Sequence, residues 1–287
     1  MRLKTLLSIT LLFVSAAAAQ DPKTFYEQLP TAQPTPALFQ EMVSVSKQLA
    51  TLPKSQVQDL IPLVFAAIKS DTDGMRNSAM GLHAISRRPD SSEVLKPYLK
   101  DIAGLLTSPN PAYKAMAGVV LLNMNPQPPE AADILLGFIN GPTGTINEKI
   151  DALTALTRLS PETLPKAKID AIAIPLLKQP MAASTLGAAI NASIYPGAPD
   201  AMVDAIAEHL NHADWQVRMR SIFALRAFGP GAVGRYRGQL TKMANDPKQP
   251  DAVKQFAQNT LDGKAEKCLT LQSNPPQLVP IPGCKAN

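Results

Sequence analysis

A stretch of sixteen residues, 214–229, recurs in weaker form along most of this chain, and that recurrence limits what the chain can fold into. Asp214 is suited to cap a helix, because its carboxylate can accept from the free N–H groups of the first turn. Val217, Ile222, Leu225 and Phe228 fall at helical spacing on one side. Gly229 and Pro230 end the helix. A single stripe of this kind cannot be buried alone. An antiparallel partner is predicted at 198–211, joined through a very short turn.

Five further pairs follow the same plan: 56–69 with 74–86, 92–106 with 112–123, 129–139 with 148–159, 162–178 with 181–194, and 232–244 with 251–261. Aligning the second helices places Arg76, Lys114, Lys149, Ala183, Arg218 and Lys254 in one column, with gaps of 38, 35, 34, 35 and 36 residues. Three residues later come Ala79, Ala117, Ala152, Leu186, Ser221 and Ala257, nearly all small. Seven residues later come His83, Leu121, Leu156, Ile190, Leu225 and Leu261. A period near 35 with two columns held in phase is the mark of stacked helical repeats. Pro62 and Pro97, again 35 apart, sit inside first helices.

Asp-x-x-Val-Arg, an Ala-Leu pair and a closing Gly resemble the second helix of a HEAT repeat, and the proline within the first helix is similar to the kink HEAT repeats carry there. The chain is identified as similar to the HEAT family, as an exported bacterial-type member. That resemblance covers about 56–262. It implies an all-α fold: a right-handed α-solenoid of about six HEAT-like helix pairs. A helix from 36 to about 52, capped by Thr35, serves as the N-terminal cap. The tetratricopeptide alternative lacks its Trp-x-x-Leu-Gly-x-x-Tyr pattern.

The ends differ from the middle. Arg2 and Lys4, the apolar run 6–14 and Ala17-x-Ala19 read as a secretory signal peptide over 1–19, with cleavage after Ala19. The run is too short to span a bilayer, which takes about 20 residues, and no cysteine follows it to carry a lipid anchor. Residues 20–36, with four prolines, read as an extended lead-in to a repeat domain at 37–262. Residues 263–287 read as a stiff, proline-rich tail. They hold Cys268 and Cys284, the only cysteines, which in an exported chain are expected to pair. Destination after export is the periplasm or the exterior.

Composition narrows function mainly by exclusion. Without the leader the chain carries 26 basic and 23 acidic residues, too even a balance for nucleic acid, which wants a dense basic stripe. No P-loop, Gly-x-Ser-x-Gly, His-Glu-x-x-His or dinucleotide fingerprint is present, so no catalytic residue and no cofactor is assigned. His209 and His212, with Glu208 immediately ahead of them, have a spacing that metal ligands use; they equally suit the negative end of a helix dipole. His83 replaces the large apolar residue of its column and reads as a core-edge imidazole or a ligand.

The basic column Arg76, Lys114, Lys149, Arg218 and Lys254 has two readings. In HEAT repeats this cation often pairs with a nearby cap, and Asp73, Asn110, Asn147, Asp214 and Asp251 lie just ahead of the rungs. The other reading is a positive rim that engages an acidic partner. Trp215, Tyr113, Arg220, Tyr236 and Arg237 are of the types enriched at interface hot spots; Trp215 can stand exposed or plug the gap between layers. The leading expectation is a non-catalytic protein-binding scaffold or adaptor whose partner is another protein, presenting its second helices. The alternatives are an enzyme or lyase accessory acting on a small ligand, and a purely structural envelope protein.

Overall fold

The computed structural model describes residues 21–71, 74–264, 269–273 and 276–280. The signal-peptide assignment, Asp73, Cys268, Cys284 and their pairing lie outside the described residues. Within the span expected to form one repeat domain, the helices gather into two compact units, Met1–Arg88 and Pro89–Asn287.

The first unit opens with helix α1, Pro22–Gln28, where an extended lead-in was expected. The reason is local. Asp21 accepts from Thr24 N at 3.0 Å and Pro22 occupies the first turn, where a missing N–H costs nothing. Phe25, Tyr26 and Leu29 are then buried, too few positions to show a period. Helix α2, Pro36–Leu49, starts on its Thr35 cap as expected, and α3, Lys54–Ser70, accommodates Pro62 without a break. Helix α4, Ala79–Ser86, begins five residues later than the sequence indicated. Asp71 is wholly buried and accepts from the backbone N–H of Arg76 and Ser78 and from the Ser78 hydroxyl, at 3.1, 3.2 and 3.0 Å. These bonds satisfy a charge that burial would otherwise penalise. They also hold 74–78 as turns. Gly81 of α4 sits against α1: a Cβ there would collide with the Tyr26 hydroxyl.

The second unit begins with α5, Ser91–Leu95, and α6, Leu99–Leu105, where one helix over 92–106 was expected. Pro97 has no N–H to give, and Lys96–Tyr98 tightens into a 3-10 turn. Then come α7 (Pro111–Asn123), α8 (Glu130–Asn140), α9 (Ile146–Thr157), α10 (Lys166–Leu177) and α11 (Ala183–Ala192). They continue into α12 (Asp200–Ala207), extended by a 3-10 turn over Glu208–Asn211, and α13 (Trp215–Ala227). The helix expected over 232–244 is two, α14 (Pro230–Arg235) and α15 (Arg237–Asn245), before α16 (Asp251–Leu261).

Second helices pack on one another in sequence order, α7 on α9, α9 on α11, α11 on α13 and α13 on α16. First helices back them: α8 on α9, α10 on α11, α12 on α13, α15 on α16. This unit is a helical-repeat stack, and the two columns found in the sequence are its spine. Ala117, Ala152, Leu186, Ser221 and Ala257 are buried, and Leu121, Leu156, Ile190 and Leu225 are fully so. Small residues let the helices close; each buried leucine contributes about 1.5–3 kcal/mol. Ser221, the polar exception, donates to Val217 O at 3.0 Å.

The tail, expected as a stiff proline-rich segment, contains two short strands. Strands β1, Leu269–Ser273, and β2, Pro276–Pro280, pair antiparallel with Leu271 opposite Leu278, and β2 lies near α16. Proline is tolerated because both strands of a two-stranded sheet are edges, and both prolines stand at strand ends.

Candidate binding face of the second helices

The basic column is drawn into the fold. Arg76 Nε donates to Ala32 O at 2.8 Å and its Nη1 to Ser70 O at 3.2 Å, with Asp71 at 3.7 Å. Lys149 Nζ donates to Gly141 O at 2.7 Å. Arg218 Nη1 donates to His212 O and Ala213 O at 2.6 and 2.8 Å, leaving its buried Nε without a partner. Lys254 pairs with Asp251 at 2.7 Å. Three rungs, Arg76, Lys149 and Arg218, thus bond backbone carbonyls of the turn ahead of their helix rather than the acids or amides anticipated, and Lys254 pairs with the expected Asp251 inside the first turn of α16.

Lys114 reaches further. Its Nζ meets Glu148 Oε1 of the next repeat at 2.8 Å. Glu148 Oε2 simultaneously accepts from Thr145 N at 2.7 Å, and Thr145 Oγ1 accepts from Glu148 N, closing a capping box. The Lys114 bond, then the Thr145 amide, hold the Glu148 carboxyl below its ordinary range. Asn147, expected beside Lys149, instead accepts from Thr185 of α11 at 3.1 Å. Asn110 and Asp214 cap their own helices through Ala112 N and Gln216 N.

Other candidates are also placed inside the fold. Tyr113 is buried. Trp215 is half-buried against the terminal core with Phe228 and Tyr236. The Tyr236 hydroxyl donates to Asp204 at 2.6 Å, and burial, then that carboxylate, push it up to about 12. Arg235 binds Asp200 and Asp204, while Arg237 is exposed. His209 Nε2 bonds Leu177 O at 3.1 Å and His212 Nδ1 accepts from Asp214 N at 3.0 Å, so each ring has one nitrogen on the backbone. Burial lowers the pKa of His209. Among the described residues no three His, Cys, Asp or Glu side chains converge as metal ligands. His83 is half-buried, and burial, then Arg87, lowers its pKa.

Arg220 is different. It is exposed, has no hydrogen-bond or ion-pair partner among the described residues, and lies across Gly187 of α11, where a Cβ would come within 2.6 Å of its Cδ. It belongs to the expected open face of the second helices, most of whose other residues the sequence did not pick out. At equivalent depth on successive second helices stand Val119, Thr154, Ala188 and Phe223 (Val119 39% and Phe223 52% exposed), an uncharged middle row. Asp151 and Arg220 flank it on one side and Arg158 on the other, all exposed.

At the α7–α9 step this face deepens into a groove of about 320 Å³. Ala115, Gly118, Ala152 and Ala155 form its floor, and Leu106, Val119, Leu122 and Phe138 its apolar walls. The Lys114–Glu148 pair closes one end, and Asp151, Thr154 and Arg158 run along the α9 edge. Partial burial, then the neighbouring Glu148, raises the pKa of Asp151. Gly144 supports the wall: its φ of +88° suits glycine, and a Cβ there would press within 2.7 Å of the Phe138 ring.

No helix among the described residues is long and apolar enough to cross a membrane. No protein-family model matches the chain, and no curated protein matches it. Among solved structures, a computationally designed armadillo-repeat protein for modular peptide recognition is similar over 85% of this chain and all of its own length, at 13% identity and a TM-score of 0.42. An engineered protein is similar over 85% of this chain and 96% of its own, at 16% identity and a TM-score of 0.32. At that level of superposition neither bears on what this chain binds.

Proposed function

We propose that the chain is a non-catalytic protein-binding scaffold that engages its partner on the open face of α7, α9, α11 and α13. The reading is carried by one contrast: the cations of the repeating column are held by internal acceptors, whereas Arg158, Arg220, Asp151 and Phe223 stand on one continuous face with no such use. An exposed aromatic beside unpartnered arginines is the composition of an interface hot spot, and stacked repeats present such faces over long distances. Export through the leader at 1–19, to periplasm or exterior, belongs to the same proposal, as does a Cys268–Cys284 bridge in the tail.

Photo-crosslinking tests it. A crosslinkable residue at Val119 or Phe223 is expected to capture protein as discrete adducts in an envelope extract. The same residue at Asp133 or Lys168, on the first helices, is expected to capture none. Adducts of equal yield from both sets, or none from the open face, contradict the reading.

A further inference from the structure

The face just described constrains the chemistry of what it binds, and the inference below rests on the scaffold reading. Three features select among occupants. The α7–α9 groove is apolar and small, at the low end of the roughly 300–1,000 Å³ of ligand pockets, and its floor carries only methyl groups or none, at Ala115, Gly118, Ala152 and Ala155. It therefore has room for one large apolar side chain. It is also open, and the uncharged row continues from Val119 over Thr154 and Ala188 to Phe223. Finally, of the charges on this face without a partner, two are arginines, Arg158 and Arg220, against one carboxyl, Asp151.

We infer that the groove seats one apolar side chain of an extended, acidic peptide segment, whose carboxylates meet Arg158 at the groove's edge and Arg220 two helices further on. Helices packed about 8–10 Å apart put α13 about 20 Å from α9. At about 3.3 Å per residue that is about six residues of extended chain. A lone apolar carboxylate would satisfy Arg158 and leave Arg220 and Phe223 unused. A basic segment would bring like charges onto both arginines, which is costly in a partly desolvated site. Asp151, exposed on the α9 edge and without a partner, can accept a backbone N–H of the bound chain. Arginine presents a planar fork that fits a carboxylate in two bonds, so both contacts carry orientation as well as charge.

The test uses the purified chain and a displayed library of random twelve-residue peptides. Selected sequences are expected to combine an aliphatic or aromatic residue with Asp or Glu beside it and again about six residues away. By fluorescence anisotropy, labelled copies of a selected peptide should bind at least about tenfold more weakly to Arg158→Glu and Arg220→Glu, and to Ala115→Trp, which fills the groove from an exposed position. Lys100→Glu, an exposed change on α6, should bind as the parent does. Circular dichroism verifies folding of each variant, and the two charge reversals, at exposed sites, keep the question open should the tryptophan disturb packing. A basic consensus, or acidic peptides indifferent to all three variants, overturns this inference while leaving the scaffold reading in place. Absence of any adduct from Val119 and Phe223 overturns the scaffold reading beneath it.

Discussion

Arg218 and Arg220 stand two residues apart on α13 and have opposite roles. Arg218 turns back into its own helix entry, where the carbonyls of His212 and Ala213 hold it. Arg220 turns out over Gly187 and meets no acceptor among the described residues. The same division separates Lys114, held between repeats by Glu148, from Arg158 on the open edge of α9. A cation that recurs in phase is held by the turn ahead of its helix, as Arg218 and Lys149 are, or by a neighbouring acid, as Lys114 and Lys254 are. Arg158 and Arg220 depart from that phase and are not so held, and there a partner can be read.

The largest effects are expected in the buried columns. Leu156→Ala and Leu225→Ala should each cost about 2–5 kcal/mol in urea unfolding, because a fully buried leucine leaves a cavity the stacked neighbours cannot close. A cost near zero would mean the helices are not packed in register at those positions. Arg218→Ala comes next, at about 1–3 kcal/mol, since two charge-assisted bonds to turn carbonyls are lost together.

Glu148→Gln isolates the charge of the inter-repeat pair. The change should cost about 0.5–1 kcal/mol at neutral pH, from the loss of the charged Lys114 contact, since a glutamine still completes the capping box. Its pH dependence has a defined sign. Folding lowers the Glu148 pKa from its ordinary 4.5, so the stabilisation is fully present above that value and is lost as pH falls through the folded value. The stability gap between parent and variant should therefore be constant from neutral pH down to about 4.5 and shrink below it. A gap that persists unchanged into stronger acid would show that the ionised carboxylate is not the source. The smallest effect is expected at Arg220→Ala, within about 0.5 kcal/mol in stability, with its consequence confined to binding.

How much of this was legible follows from what repeats. Asp214 as a cap, Gly229 as a stop and the burial of Leu121, Leu156, Ile190 and Leu225 were all readable, because packing imposes them at every turn of the stack. Helix α1 was not, since seven residues anchored by Asp21, Phe25 and Tyr26 are too short for periodicity to register. The tail carried a faint signal, the alternation Leu269-Thr270-Leu271-Gln272, outweighed by its prolines. Among site residues, Arg220 was singled out by type alone. Val119, Thr154, Ala188 and Phe223 share a row but no chemistry, so no alignment of repeats collects them. The groove needed Phe138 from a first helix and Leu106 from a turn, neighbours only after folding.

The most direct measurement pairs two double variants, Arg218→Ala with Lys254→Ala and Arg158→Ala with Arg220→Ala, each assayed for melting temperature and for binding of a peptide selected on the parent. The account predicts a crossing. The first pair lowers the melting temperature and, below it, binds as the parent does; the second melts with the parent and loses binding. Retained stability with lost binding in the first pair, or lost stability with retained binding in the second, would contradict it.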